Sequence, residues 1–214
     1  MGCDITIFCE GYKWGKWINI DSFYRSDGWA EYMVTEDQGF IRDSLLHGVR
    51  DYGLFFLLAG VRGDGDKESY LPIDFTRGIP DAMDQLIKRR YEDDYDIDFN
   101  NDFNKGNGDF HHASHYTLKE LKDSGYGDIM PLQGWVHPED YARHEEWMAD
   151  GKRYALPFID VRCGKPDDEE LILKEWNGYL NLNFTDLIEK LEKMKEKNLI
   201  RSDKEIRIIF WFDN

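Results

Sequence analysis

The two ends of the chain constrain its fold more than anything between them. At the start, Cys3, Ile5, Ile7 and Cys9 alternate with Asp4, Thr6, Phe8 and Glu10, the two-residue period of a half-buried strand. Gly11 to Gly15 supplies turn residues, and Lys16-Trp17-Ile18-Asn19-Ile20 reads as the return strand of a hairpin. At the far end, Glu205 to Phe212 is strongly β-prone. Helical patterns lie between. A chain that starts and ends on strands is expected to be α+β: an antiparallel or mixed sheet including both terminal strands, with helices packed on one face.

The middle of the chain carries the helices. Leu45, Leu46, Val49, Tyr52, Phe56 and Ala59 approximate helical spacing over 40–59, with Gly48 and Gly53 as breakers that favour two short helices. Met83 to Arg90 is a short helix candidate. Thr117 with Glu120 three residues later is a capping box. Pro138 to Ala149 is expected to be helical, and Thr185 to Lys197 is the strongest helix, with Leu187, Ile188, Leu191 and Met194 as its apolar stripe. Arg153 to Arg162 and Glu170 to Trp176 are strand candidates. With neither repeat nor linker, 1–214 is expected to be a single domain with long acidic and aromatic loops at about 21–39 and 91–109.

Charge narrows the function. Asp and Glu total 43 against 27 Lys and Arg, a formal net charge of −16. That balance argues against duplex nucleic acid, which needs a basic footprint, and against an anionic membrane. Aromatics at 15% argue against a disordered acidic chain. No apolar run approaches the roughly 18 residues of a membrane span, and no secretory signal opens the chain. Cys3, Cys9 and Cys163 are too few for a disulfide framework. A cytoplasmic protein is expected.

The densest chemical cluster is Asp109-Phe110-His111-His112-Ala113-Ser114-His115-Tyr116, with three of the six histidines. If extended, it turns Asp109, His111, Ala113 and His115 to one face. Such a face suits a divalent metal, general acid–base chemistry on a phosphate ester, or an anion beside the capped helix; a polar edge strand with surface histidines is the bland alternative. The spacing fits no standard zinc pattern, so no metal and no cofactor is expected. Arg50, Arg62 and Arg77 sit beside Asp or Gly, either as bidentate readers of carboxylate or phosphate or in ion pairs with the abundant Asp residues. Asp4 either is exposed or lines a site at the strand end. Asp96-Ile97-Asp98-Phe99-Asn100 imitates a calcium loop, but Asn101 and Asn107 replace its Gly and Glu. Arg62-Gly63-Asp64-Gly65 lacks a P-loop ending.

Several segments carry a resemblance. Met1-Gly2-Cys3-Asp4-Ile5, Arg50-Asp51-Tyr52-Gly53-Leu54-Phe55, Leu58-Ala59-Gly60-Val61-Arg62, Arg77-Gly78-Ile79-Pro80, Asp109-Phe110-His111 with His115, and Phe210-Trp211-Phe212-Asp213-Asn214 resemble a family of uncharacterised phage and bacterial proteins opening Met-Gly-Cys-Asp-Ile-His. The anchors span most of the chain. It departs at Thr6, where the family has His, and at Gly53, where Asp would be expected; a metal role for that His could not operate here. The resemblance implies a phage gene acting inside an infected bacterium.

Gathered in one pocket, Asp4, Arg50, Arg62, Arg77, His111, His115 and Tyr116 would suit an anionic, nucleotide-derived small molecule. The expected function is a binding protein for such a ligand, sequestering a host immune signal. A phosphodiesterase-type hydrolase using His111 or His115 is the first alternative. An acidic inhibitor that mimics nucleic acid and occupies a host defence protein is the second.

Overall fold

The computed structural model describes residues 3–21, 50–62, 70–74, 76–95, 110–168 and 170–213. The expected loop at 22–39, the first part of the expected 40–59 helix, the glycine-rich 63–66 and the calcium-like segment from Asp96 lie outside them, as does Asp109. The chain divides into two compact units, each assembled from separated stretches: Met1–Arg50, Thr76–Glu120 and Glu189–Asn214 form one, and Asp51–Phe75 with Leu121–Ile188 form the other.

The first unit is built on the two chain ends. Strand β1 (Asp4–Lys13) turns through Trp14 and Gly15 into β2 (Lys16–Asn19), so the strand runs past Gly11 before the chain reverses. The last strand, Ile206–Asp213, lies antiparallel against β1, in register from Asp4 opposite Asp213 to Gly11 opposite Ile206. Strand β3 (Phe110–Thr117) closes the other side, giving an antiparallel sheet in the order β2, β1, last strand, β3. The sheet is α+β in context, with both terminal strands as central neighbours. Every residue of the last strand but Asp213 is buried, as a near-continuous apolar run requires.

Helix α1 (Tyr52–Ala59) belongs to the second unit, and α2 (Gln85–Asp94) to the first. Ile87 of α2 packs with Phe8, Ala113, Ile209 and Trp211 on one face of the sheet. The Trp211 indole donates to Asp94 at 2.9 Å, and Arg90 pairs with the same carboxylate. The capping box forms as expected: Glu120 accepts the Thr117 N–H at 2.8 Å, and the Thr117 hydroxyl accepts the Glu120 N–H, opening α3 (Leu118–Asp123).

The second unit holds a smaller sheet. Strand β4 (Ile129–Val136) is central, with β5 (Ile159–Asp160) and β6 (Ile172–Tyr179) antiparallel on either side. Helix α4 runs from Pro138 to Ala149, with proline in its first turn. Leu132, Val136, Leu156 and Trp176 form the core of this unit. Of the expected strand at 153–162, only Ile159 and Asp160 pair. Gly134 permits that pairing: a Cβ there would meet the Ile159 carbonyl at 2.6 Å. Helix α5 (Leu182–Lys197) carries the buried Leu187 in this unit and the buried Leu191 and Met194 in the first, and the terminal strand above is β7.

Candidate functional site

Strand β3 is an edge strand, and a bulge divides its histidines. The register with β7 shifts between His111 and Ser114, and His112 adopts a φ of +54°. His111 lies opposite Phe212 and His115 opposite Ile209. Paired residues in an antiparallel ladder share a face, and alternate residues of β7 face opposite ways. His111 and His115 therefore point to opposite faces. This corrects the expectation that Asp109, His111, Ala113 and His115 share one: the extra residue of the bulge reverses the alternation. The His111 ring stacks on Phe212 at 6.0 Å, and its Nδ1 lies 2.6 Å from that of His112. Burial, then the neighbouring His111, pulls the His112 pKa down.

Arg77 does meet Tyr116, and the segment that carries it meets His115. A strap at 76–80 runs along the open edge of β3, with the Gly78 N–H donating to the Ala113 carbonyl and the Arg77 N–H to the Ser114 hydroxyl. The Arg77 guanidinium lies 4.7 Å over the Tyr116 ring and pairs with Glu120 at 2.6 Å. His115 Nδ1 sits 3.1 Å from the Gly78 carbonyl. Burial lowers the His115 pKa; the Gly78 carbonyl opposes this, and the charges of Arg207 and Arg77 reinforce it. Burial works to raise Glu120, but Thr117 and Arg77 hold it below its ordinary range. The groups in this cluster bond chiefly to one another and to the strap, the chemistry of a clamp over a sheet edge.

Asp4 and Arg50 form a separate pair. Arg50 Nε and Nη2 donate to the two Asp4 oxygens at 2.7 and 2.6 Å. The hydrogen-bonded guanidinium holds the Asp4 carboxyl below its usual range. Both side chains are about half exposed, so the pair contributes about 1 kcal/mol or less. Arg62 belongs to the second unit, exposed in the turn after α1 with a φ of +61°. The seven residues selected from the sequence thus fall into one cluster around Arg77, one ion pair, His111 against Phe212, and one exposed arginine in the other unit.

The second unit contains a feature the sequence does not disclose: a cavity of about 750 Å3. Gly53, Phe56 and Leu57 of α1, Tyr70, the Phe158–Asp160 stretch, the Cys163–Asp167 turn, and Leu180 with Asn181 line it. None of the seven selected residues does. Phe56, Tyr70 and Phe158 make it aromatic; Asp160, Lys165 and Asp167 bring charge. Asp160 is buried and accepts from the Arg162 N–H at 2.7 Å and Nε at 3.2 Å, which turns the Arg162 guanidinium to 6.0 Å over Tyr70. Burial, then the Asp160 charge, pushes the Tyr70 phenol up. Asn181 is fixed by donating to Asp51 at 2.9 Å and accepting the Phe184 N–H at 2.8 Å. The lining comes from segments far apart in the chain, so no local spacing points to it. The only local signal is turn chemistry at Gly164-Lys165-Pro166. Among the described residues no group of His, Cys, Asp or Glu is placed to hold a metal ion.

No family model matches the chain, and neither a curated protein nor a solved structure does.

Proposed function

We propose that this chain is a binding protein for an anionic, nucleotide-derived small molecule, held in the cavity of the second unit. The observation that carries the reading is the combination of size and lining. About 750 Å3 falls within the roughly 300–1,000 Å3 of small-molecule sites. Phe56, Tyr70 and Phe158 offer apolar and π surface to a base. Lys165 offers an ammonium to a phosphate as a point charge. Asp160 and Asp167 offer acceptors to amino or hydroxyl groups.

The reading moves the ligand away from the residues selected in the sequence. Arg77, His115 and Tyr116 are engaged in holding the strap on β3. The resemblance to a phage family supports a sequestering role, with the protein withholding a host signalling nucleotide from its receptor.

A panel of mono-, di- and cyclic nucleotides titrated by calorimetry tests this. Lys165→Ala should weaken binding about ten- to a hundred-fold, the value of one charge-assisted hydrogen bond. Arg77→Ala should leave affinity unchanged. The ligand should come back intact after heat denaturation; recovery of cleaved products would replace the binder with a hydrolase.

A further inference from the structure

The charge of −16 has a local exception at one end of the first unit. There the β1–β2 turn meets the segment after α5, with Lys13 Nζ donating to Asn198 Oδ1 at 3.2 Å. Two large apolar side chains project beside this contact. Trp14 is 86% exposed and Leu199 87%. Each occupies a backbone position where a small residue is usual. Trp14 and Gly15 form a two-residue hairpin turn with φ of +53° and +80°, a geometry that favours Asn-Gly. Leu199 has a φ of +55° just past α5. Its N–H bonds to the Glu196 carbonyl, and the Ile200 N–H bonds to that of Lys195, a helix ending that favours Gly. Left-handed backbone disfavours a bulky side chain, and for these two residues burial compensates little. Lys13, Lys16, Lys197 and Arg201 flank the two side chains in sequence, with the exposed Glu196 among them.

We propose that this end of the molecule docks on an anionic lipid bilayer. Trp14 and Leu199 would enter the headgroup–acyl boundary, where an indole with one polar edge is well accommodated. The flanking Lys and Arg would meet anionic headgroups while their stems remain on apolar surface. Two projecting tips fit a soft, deformable medium. A second copy docked tip to tip would set these cations against one another. Whole-chain charge argues against such a surface, but at physiological salt a charge acts over only about 8 Å, so the groups at the contact decide.

Co-sedimentation of the full chain with phosphatidylcholine vesicles, with and without about one-third phosphatidylserine, tests the proposal. Trp14→Asn combined with Leu199→Gly suits the left-handed backbone, so this variant should melt no lower than the parent. The parent should pellet with the phosphatidylserine vesicles and be released by high salt. The double variant should lose at least about tenfold in binding. Parent protein left in the supernatant, equal binding to both vesicle types, or undiminished binding by the double variant would overturn the proposal. Sedimentation of the parent without vesicles would replace it with self-association.

Discussion

Glu10 and Arg207 face each other across β1 and β7, with Glu10 fully buried. Arg207 Nε donates to Glu10 at 2.7 Å, Arg207 also donates to the Ala82 carbonyl, and its guanidinium lies 3.8 Å over the Trp17 ring. Glu10 in turn accepts the Asp84 N–H, so both charges are extensively bonded where they are buried. Burial raises the Glu10 pKa despite the opposing arginine. A raised carboxyl contributes stability that is complete below its unfolded value and is lost as pH rises through the folded one. Without the arginine the folded value climbs further. Arg207→Met should therefore destabilise by about 3–5 kcal/mol at neutral pH, the cost of one uncompensated buried charge. The deficit should shrink toward about pH 4.5, where the carboxyl can stay protonated in the fold. Urea unfolding across that range checks both; a deficit independent of pH would mean that lost packing dominates.

Among the elements, α5 is the one whose sequence pattern and burial agree most fully. Leu187 and Leu191 are inaccessible and Met194 nearly so, while lysines fill the last turn, where they suit the helix dipole. Leu191→Ala should lower unfolding free energy by about 2–5 kcal/mol, the range for a buried leucine whose site closes only partly. Equilibrium denaturation measures it, and no change would mean the stripe is not a packing surface. Strand β4 behaves oppositely. Pro131 and Gly134 are breakers in isolation, yet β4 is the central strand of its sheet. Eight residues in register with β6 hold it, and the missing Cβ at Gly134 lets β5 approach. Gly134→Ala should cost about 1–3 kcal/mol as overpacking against backbone. Hydrogen exchange at the amides bonded across the β4–β5 ladder should rise with it, and unchanged exchange would mean that β5 tolerates the added methyl.

For the molecule as a whole, 43 acidic side chains against 27 basic ones make self-repulsion a standing cost. Raising sodium chloride from low ionic strength to about 0.5 M compresses the range of that repulsion. The midpoint of thermal unfolding should rise by a few degrees, since about 1 kcal/mol corresponds to roughly 2–4 °C at this size. A fall with salt would mean that attractive ion pairs such as Arg77–Glu120 and Arg153–Asp186 outweigh the net charge.

The chain by itself determined its local periodicities. The β-prone terminus, the capping box at Thr117 and Glu120, and the core of the α5 stripe are written in neighbouring residues, and each formed as those neighbours dictate; the alternation at 3–10 gave the strand but not its burial, since Phe8 and Glu10 on the expected polar face are buried as well. That both ends are apolar strands was legible, but their direct antiparallel pairing joins opposite ends of the chain and was decided by the fold. Tertiary structure alone decided what depends on a partner distant in sequence. The bulge at His112 exists only relative to β7, and it separated two histidines that a regular strand would have aligned. Extended chain at 153–162 became ladder only where β4 supplied hydrogen bonds. The arginines were legible as charges, but that Arg50 met Asp4 and Arg77 met Glu120 was settled by packing. The cavity is the furthest case: its aromatic wall and its lysine come from segments up to about a hundred residues apart, and concavity is a property of packed surfaces that no stretch of sequence carries.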